Sequence, residues 1–142
     1  MKQKIVRYIS VCLVVAALLS TVAFAAKDAS EYIWATNVSM VTSTKGVIEA
    51  DCTVTATDIY DDVGIKWIEF HKANGDLVGQ RHWYTDPGYS DLMGSNRGSY
   101  SVAVTCPAVS GERYYAKVCF YAGTLGVAGD GHTMTSVIVT AK

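Results

Sequence analysis

The chain has 142 residues, 50% of them hydrophobic and 18% charged, and its formal net charge is −1. This length suits a single domain with a hydrophobic core of its own. A charge balance that is slightly acidic argues against nucleic acid or an anionic membrane surface as the partner.

The first 25 residues have the three-part pattern of a secretory signal peptide. Basic residues between Lys2 and Arg7 precede an uncharged apolar run that ends in the small-residue triplet Ala23-Phe24-Ala25. The run is short for a membrane span of about 20 residues, and no basic cluster follows it. We therefore expect cleavage after Ala25 and a secreted domain of residues 26–142 that is not attached to a membrane. This domain has nine basic and thirteen acidic residues, a net charge of −4.

After residue 26 the sequence alternates apolar and polar side chains in short runs rich in Val, Ile, Thr and Tyr, with almost no helical periodicity. In chain order, the runs that predict strands are 31–41, 47–57, 63–72, 77–84, 100–106, 112–122 and 133–141. About seven short strands separated by turns are typical of an all-β fold, and we predict a single Greek-key β-sandwich. A closed barrel is the main alternative.

Turn residues separate these runs. The segment Asp58–Asp62 predicts a tight turn, and Asn74-Gly75 is the preferred pair for a type I′ hairpin. The polar stretch 85–98 has too few apolar residues for a core strand and predicts a loop or a short edge strand. Asp58, Asp61 and Asp62 could together bind calcium, but Asp is common in tight turns, so we expect a solvated turn instead.

The hairpin centred on Asn74-Gly75 pairs Trp67 with His82, because cross-strand partners are equidistant from the turn. The side chains that this register puts on one face are Trp67, Glu69, His71, His82 and Tyr84. Sugar-binding surfaces combine a stacking ring with polar groups for the hydroxyls, so we predict a binding face at Trp67, His82 and Tyr84. The opposite face holds Ile68, Phe70 and Trp83, which is typical of a core.

Two other interpretations of this hairpin are open. Trp67 is the buried tryptophan of a sandwich if a bulge reverses the strand parity, and the usual burial of Trp favours this interpretation. Glu69, His71 and His82 are a conceivable zinc site, but the two histidines lie diagonally across the ladder. We therefore expect no metal and no cofactor.

Several motifs resemble a known class of domain. The order of "NGDLV", "GSYSVAV" and "GERYYAKVCFYA" resembles bacterial immunoglobulin-like or fibronectin-type-III-like modules. The segment "YYAKVCFYAG…TSVIVTAK" is also similar to the C-terminal strands of small, secreted, uncharacterised proteins of Gram-positive bacteria. The resemblance implies an immunoglobulin-like sandwich and supplies no enzyme mechanism.

Three cysteines remain after the leader, and one of them must be left over if a disulfide forms. Cys52 and Cys106 fall on core-facing positions, whereas Cys119 alternates with Phe120 and faces outward. In an immunoglobulin-like order the strands that carry Cys52 and Cys106 are antiparallel neighbours. We therefore predict a Cys52–Cys106 disulfide and a free thiol at Cys119. Three reduced cysteines are the alternative.

These observations predict a non-enzymatic, monomeric extracellular module that binds or adheres to a protein or a glycan. A small secreted effector, such as a bacteriocin-like or inhibitory protein, is the alternative. The segment "VAVTCPAVSGER" resembles the active-site strand of sortase transpeptidases, with Cys106 as nucleophile and Arg113 downstream. The upstream histidines lie too close to Cys106 in sequence for that family, and the domain is short, so we do not expect this chemistry.

Overall fold

The structure, a computed structural model, describes residues 30–142 and is all-β. Its strands are β1 (Ile33–Val41), β2 (Val47–Lys72), β3 (His82–Trp83), β4 (Met93–Pro107), β5 (Arg113–Thr124), β6 (Ala128–Thr135) and β7 (Val139–Thr140). A short 3₁₀ turn, Ser90–Leu92, precedes β4. No helix long and apolar enough to cross a membrane occurs in this part of the chain. The predicted signal peptide, residues 1–25, lies outside the described residues.

All seven strands belong to one antiparallel sheet in which β2 is the central strand. The sheet runs in the order β1-β2-β5-β6, while β3 and β4 pair with β2 and β7 pairs with β5. The first half of β2 lies between β1 and β4. Its second half pairs with β5 on one edge and with the start of β4 and with β3 on the other. The prediction of an all-β fold is confirmed.

The core forms because both halves of the sheet turn their apolar side chains to the same interior. Ile48 and Val54 of β2 are almost fully buried, as are Val118 and Phe120 of β5, and all four belong to one hydrophobic cluster. Thr36 of β1 also donates a hydrogen bond to the Met134 sulfur of β6, although these strands stand at opposite ends of the sheet order. The sheet therefore curls until its ends meet.

The predicted turn at Asp58–Asp62 is wrong, because β2 continues through it to Lys72. A register irregularity against β4 between Thr55 and Tyr60 takes the place of the turn.

Two of the predicted turn aspartates bind the connection between β5 and β6. Asp61 accepts a hydrogen bond of 2.8 Å from the Thr124 hydroxyl, and Asp62 accepts one of 2.9 Å from the Leu125 backbone N–H. Within residues 30–142, no group of three or more His, Cys, Asp or Glu side chains has an arrangement that could hold a metal ion.

The hairpin that follows β2 has a different turn from the one predicted. Gly75 has a positive φ of 98°, whereas Asn74 does not, and a type I′ turn needs positive φ at both central residues. The Gly75 N–H donates to the Lys72 carbonyl at 2.9 Å, and the Lys72 N–H donates to the Asp76 carbonyl at 2.8 Å. The turn therefore contains one residue more than predicted.

The longer turn shifts the register by one residue at the bridge between His71 and Leu77, and two extra residues between Val78 and His82 then shift it again in the opposite direction. Trp67 lies opposite Trp83, and Ile68 lies opposite His82. The predicted strand 77–84 is reduced to a single bridge at Leu77 and the two residues of β3. Because a slip of one residue moves each side chain to the other face, the predicted faces of this strand are exchanged.

The later strands differ from prediction mainly at their ends. β4 begins at Met93, inside the polar stretch that predicted a loop or an edge strand. The predicted last strand, 133–141, is divided between the end of β6 and the short β7, which pairs with Arg113 and Tyr114 of β5.

The predicted Cys52–Cys106 disulfide is not present, and both thiols are free. The two cysteines do lie on neighbouring strands, but Cys52 is opposite Val102 and Cys106 is opposite Ile48. Four residue positions correspond to roughly 13 Å along a strand. A disulfide tolerates a Cα separation of at most about 7 Å.

Candidate functional site

The second half of β2 and the middle of β5 turn a row of polar and aromatic side chains away from the core. We call this surface the outer face. Cross-strand pairing places Trp67 opposite Cys119, Glu69 opposite Lys117 and His71 opposite Tyr115. Paired residues in an antiparallel ladder share a face, so these six side chains form one continuous surface.

Arg81 is the centre of a cluster on the outer face that also contains Trp67, Glu69 and Trp83; we call it the Arg81 cluster. The guanidinium carbon lies 4.1 Å from the centroid of the Trp67 ring and 5.5 Å from that of Trp83. The two rings meet edge to face, with centroids 6.5 Å apart and an interplanar angle of 62°. The cation is therefore held by cation–π contacts from two directions.

The Glu69 carboxylate holds the Arg81 guanidinium in place. Its Oε1 accepts a hydrogen bond of 2.7 Å from Arg81 Nε, and its Oε2 lies 3.0 Å from His71 Nε2. Burial raises the pKa of the Glu69 carboxyl, but the hydrogen bonds from His71 and Arg81 and the charges of both outweigh burial, so its pKa is lowered. The carboxylate is thus a charged anchor that is only 9% exposed.

His71 completes this support. Its Nδ1 lies 3.0 Å from the Gly75 carbonyl oxygen, and its ring stacks on Tyr115 at 5.1 Å between centroids. Both ring nitrogens therefore face oxygen atoms, and these contacts fix the orientation of the ring.

The outward part of Arg81 is available to a ligand. Its side chain is 40% exposed, and its remaining four N–H groups have no hydrogen-bond partner among residues 30–142. Trp83, which is 36% exposed, offers an apolar surface beside them. The Asp86 carboxylate at the edge of this surface accepts the Trp83 backbone N–H at 2.8 Å. The cluster therefore combines an oriented donor group with an accessible aromatic ring.

Two lysines add positive charge to the outer face. Lys117 is opposite Glu69, and the Lys66 ammonium lies 5.8 Å from the Tyr121 ring centroid. Cys119 lies between them and faces away from the core cluster, as predicted, but it is buried, at 9% exposure. Burial raises the pKa of its thiol, opposed by a hydrogen bond with Thr133 and the charges of Lys66 and Arg81.

The predicted binding residues do not share one face. Trp67 lies on the outer face, but Arg81 covers its ring, so it is neither an open stacking platform nor the buried tryptophan of a core. A register irregularity against β5 does occur between Ile65 and Trp67, without turning Trp67 inward.

His82 and Tyr84 lie away from the outer face. His82 is opposite the buried Ile68 and stacks on Tyr89 with ring centroids 4.2 Å apart, and its buried Nδ1 has no partner among the described residues. Tyr84 is half-buried and packs against the core. Tyr89 also lines a depression of about 320 Å³ between the 3₁₀ turn and β4. Glu69 and His71 meet, but His82 does not join them, so the conceivable zinc site is not formed.

The residue that sequence reasoning missed is Arg81. With the observed register it precedes Trp83 by two positions and therefore shares its face, opposite the strand of Trp67 and Glu69. The sequence did contain a signal, because Arg81 lies two positions before Trp83 and therefore shares its face. The two-residue turn that we predicted, however, placed both side chains on the face opposite to Trp67.

Cys106 is not prepared to act as a nucleophile. Burial raises the pKa of its thiol, whereas a nucleophilic cysteine needs a lowered one. Cys52 is shielded further, since burial and the charge of Asp51 raise its pKa to about 12.

No protein-family model matches the chain, and no curated protein sequence matches it significantly.

Proposed function

We propose that this protein is a secreted, monomeric, non-enzymatic module that binds an extracellular glycan through the Arg81 cluster. The observation that carries the proposal is the fixed position of the Arg81 guanidinium, held at 2.7 Å by Glu69 and at 4.1 Å from the centroid of the Trp67 ring. A binding site needs such preorganisation, because ordering a flexible arginine on binding would cost affinity.

A glycan suits the chemistry of this surface. Sugars present apolar C–H faces that stack on an aromatic ring, and hydroxyls that accept from N–H donors. Trp83 supplies an exposed ring, and Arg81 supplies donors in a fixed plane. A protein partner would also use Trp and Arg, but it would bury a large surface around them, whereas one sugar residue needs only the ring and the donors.

The finer fold assignment is part of the same proposal. We infer an immunoglobulin-like Greek-key sandwich, exported by a leader that is cleaved after Ala25. The shared core of the two sheet halves and the contact between Thr36 and Met134 support two facing layers. Loops and strand faces of such sandwiches commonly carry binding sites, which agrees with a site on β2 and β3.

The test is a glycan array probed with protein expressed from the full chain, compared with Arg81→Gln and Trp83→Ala. Trp34→Ala is the matched control, because Trp34 is 76% exposed and lies on β1, away from the Arg81 cluster. We expect both cluster variants to lose the array signal and the control to keep it. Absence of any signal from the unaltered protein, or a signal that both cluster variants retain, would disprove the proposal.

A further inference from the structure

We infer that the glycan recognised by the Arg81 cluster is acidic, with a uronic-acid carboxylate bound by the outward N–H groups of Arg81 and the sugar ring stacked on Trp83. This inference rests on the glycan-binding function proposed above and names the class of sugar.

The shape of the donor group favours a carboxylate. Arg81 uses Nε for Glu69, so its terminal nitrogens are left to point away from the anchor. Two parallel N–H groups of a guanidinium match the two oxygens of a planar carboxylate, and such paired bonds are among the strongest in proteins. A neutral sugar would offer these N–H groups single hydroxyl oxygens instead of a matched pair of carboxylate oxygens.

The charges on the outer face also favour an anion. The charged side chains on or beside the outer face are Arg81, Lys66 and Lys117 against the carboxylates of Glu69 and Asp86, an excess of one positive charge. Lys66 and Lys117 lie on the same face. A surplus of positive charge here stands out because residues 26–142 together have a net charge of −4, from nine basic and thirteen acidic residues. The surplus attracts an acidic ligand.

The distances allow one sugar residue to reach both groups. The guanidinium carbon of Arg81 is 5.5 Å from the centroid of the Trp83 ring. A uronic acid carries its carboxylate one bond from the pyranose ring, so a ring placed over Trp83 brings the carboxylate beside Arg81. An anionic group on a long flexible arm would not need this short spacing.

The experiment is isothermal titration calorimetry of the protein expressed from the full chain with oligomers of galacturonate and of glucuronate. Each oligomer is compared with its methyl ester, which keeps the ring and removes the charge. The variants are Arg81→Gln, Arg81→Lys and Trp83→Ala. The matched controls are Arg113→Gln, an exposed arginine at the start of β5, and Trp34→Ala. Circular dichroism and the urea midpoint verify that each variant is folded. If Arg81→Gln does not fold, Arg81→Lys still tests the role of the paired N–H groups.

We expect one of the acids to bind at least about tenfold more tightly than its ester, the difference that a charge-assisted pair contributes. Arg81→Gln should abolish this selectivity, Arg81→Lys should retain only part of it because a point charge cannot form the paired bonds, and the two controls should retain all of it. Trp83→Ala should weaken the acid and the ester alike.

Three results would overturn the inference. Equal binding of the acid and its ester that Trp83→Ala abolishes would refute the acidic-sugar inference but leave glycan binding intact. Selectivity for the acid that survives Arg81→Gln would have the same consequence. Binding of a polyglutamate peptide without binding of any sugar would assign the surface to an acidic protein and refute both proposals.

Discussion

Glu69 is the residue on which the geometry of the Arg81 cluster depends. Its two oxygens contact different side chains, Arg81 at 2.7 Å and His71 at 3.0 Å. The carboxylate is almost completely buried, and a buried charge is tolerated when it is paired and hydrogen-bonded on all sides. Removing this one group therefore releases both the arginine above it and the histidine beside it.

Replacing Glu69 with Gln should lower the free energy of unfolding by about 1 to 3 kcal/mol, because the uncharged amide has one acceptor oxygen and cannot accept from both Arg81 and His71. Urea denaturation measures this change. Glu49→Gln is the control, since Glu49 lies on the same strand and its side chain forms no hydrogen bond with residues 30–142. It should change the stability by less than about 0.5 kcal/mol. Equal effects of both substitutions would contradict the anchoring role of Glu69.

The lowered pKa of Glu69 predicts a pH dependence of this contribution. A carboxyl whose pKa in the folded protein lies below its ordinary value of 4.5 stabilises the fold above that value and loses this contribution as the pH falls through the folded pKa. The stability difference between the unaltered protein and Glu69→Gln should therefore be complete above roughly pH 5 and shrink as the pH falls toward 3. At the acidic end protonated Glu69 is nearly isosteric with glutamine.

Urea denaturation of both proteins across this pH range is the measurement. Hydrogen bonds from Lys72 and Tyr114 also lower the pKa of Glu112, but this residue is unchanged in the variant and cancels in the difference. A difference that stays constant with pH, or grows as the pH falls, would be inconsistent with an ionised anchor.

At the scale of the element, the hairpin after β2 shows how far the sequence could be interpreted. Its apolar alternation correctly predicts that Ile68 and Phe70 are buried. Asn74-Gly75, however, is compatible both with a two-residue turn and with a longer one in which only the glycine has positive φ. The longer turn, together with two extra residues between Val78 and His82, places Trp83 instead of His82 opposite Trp67. No local signal in the sequence distinguishes the two turns.

Local sequence patterns also could not predict the length of β2. Aspartates at 58, 61 and 62 are typical of a turn when their side chains can only bind their own backbone. Two of them bind Thr124 and Leu125 instead, 63 residues later in the chain. The strand therefore continues because a distant connection satisfies its acidic side chains, and only the folded sheet brings that connection near.

Gly64 tests the way β2 packs against the start of β4. A Cβ at this position would collide with the carbonyl oxygen of Leu92 and the Cα of Met93, both of which are backbone atoms. We expect Gly64→Ala to destabilise the protein by about 3 kcal/mol, since overpacking against backbone cannot be relieved by a side-chain rotation. Urea denaturation is the measurement.

Gly98→Ala is the matched control for this prediction. Gly98 lies in β4, has no positive φ, and its added Cβ would make only ordinary contacts of 3.6 Å or more with Asp58 and Ile59. Its stability should stay within about 0.5 kcal/mol of the unaltered protein. A Gly64→Ala variant as stable as Gly98→Ala would mean that Leu92 and Met93 do not approach β2 this closely.

At the scale of the whole molecule, side-chain alternation predicted the all-β fold and the composition of the core, as Ile48, Val54 and Val118 illustrate. It could not predict the register between strands that are distant in sequence. The cysteines show the consequence. Parity correctly turned Cys52 and Cys106 inward, but their strands pair so that the two residues are offset by four positions. Burial rather than a covalent link must therefore protect these thiols.

The last prediction concerns this protection. In the folded protein, Cys52, Cys106 and Cys119 are all buried, and burial raises the pKa of each thiol, so the thiolate that reacts with a disulfide reagent is scarce. At pH 8 we expect the native protein to react slowly with Ellman's reagent. In urea every cysteine present should react with one equivalent of the reagent. That gives three equivalents if export removes the leader with Cys12 and four if it does not, and the mass of the intact protein decides between these cases. Because no covalent bond is there to reduce, dithiothreitol should leave the midpoint of urea unfolding unchanged. A lower midpoint with dithiothreitol, together with only one equivalent released from the processed chain in urea alone, would mean that a disulfide forms despite the register.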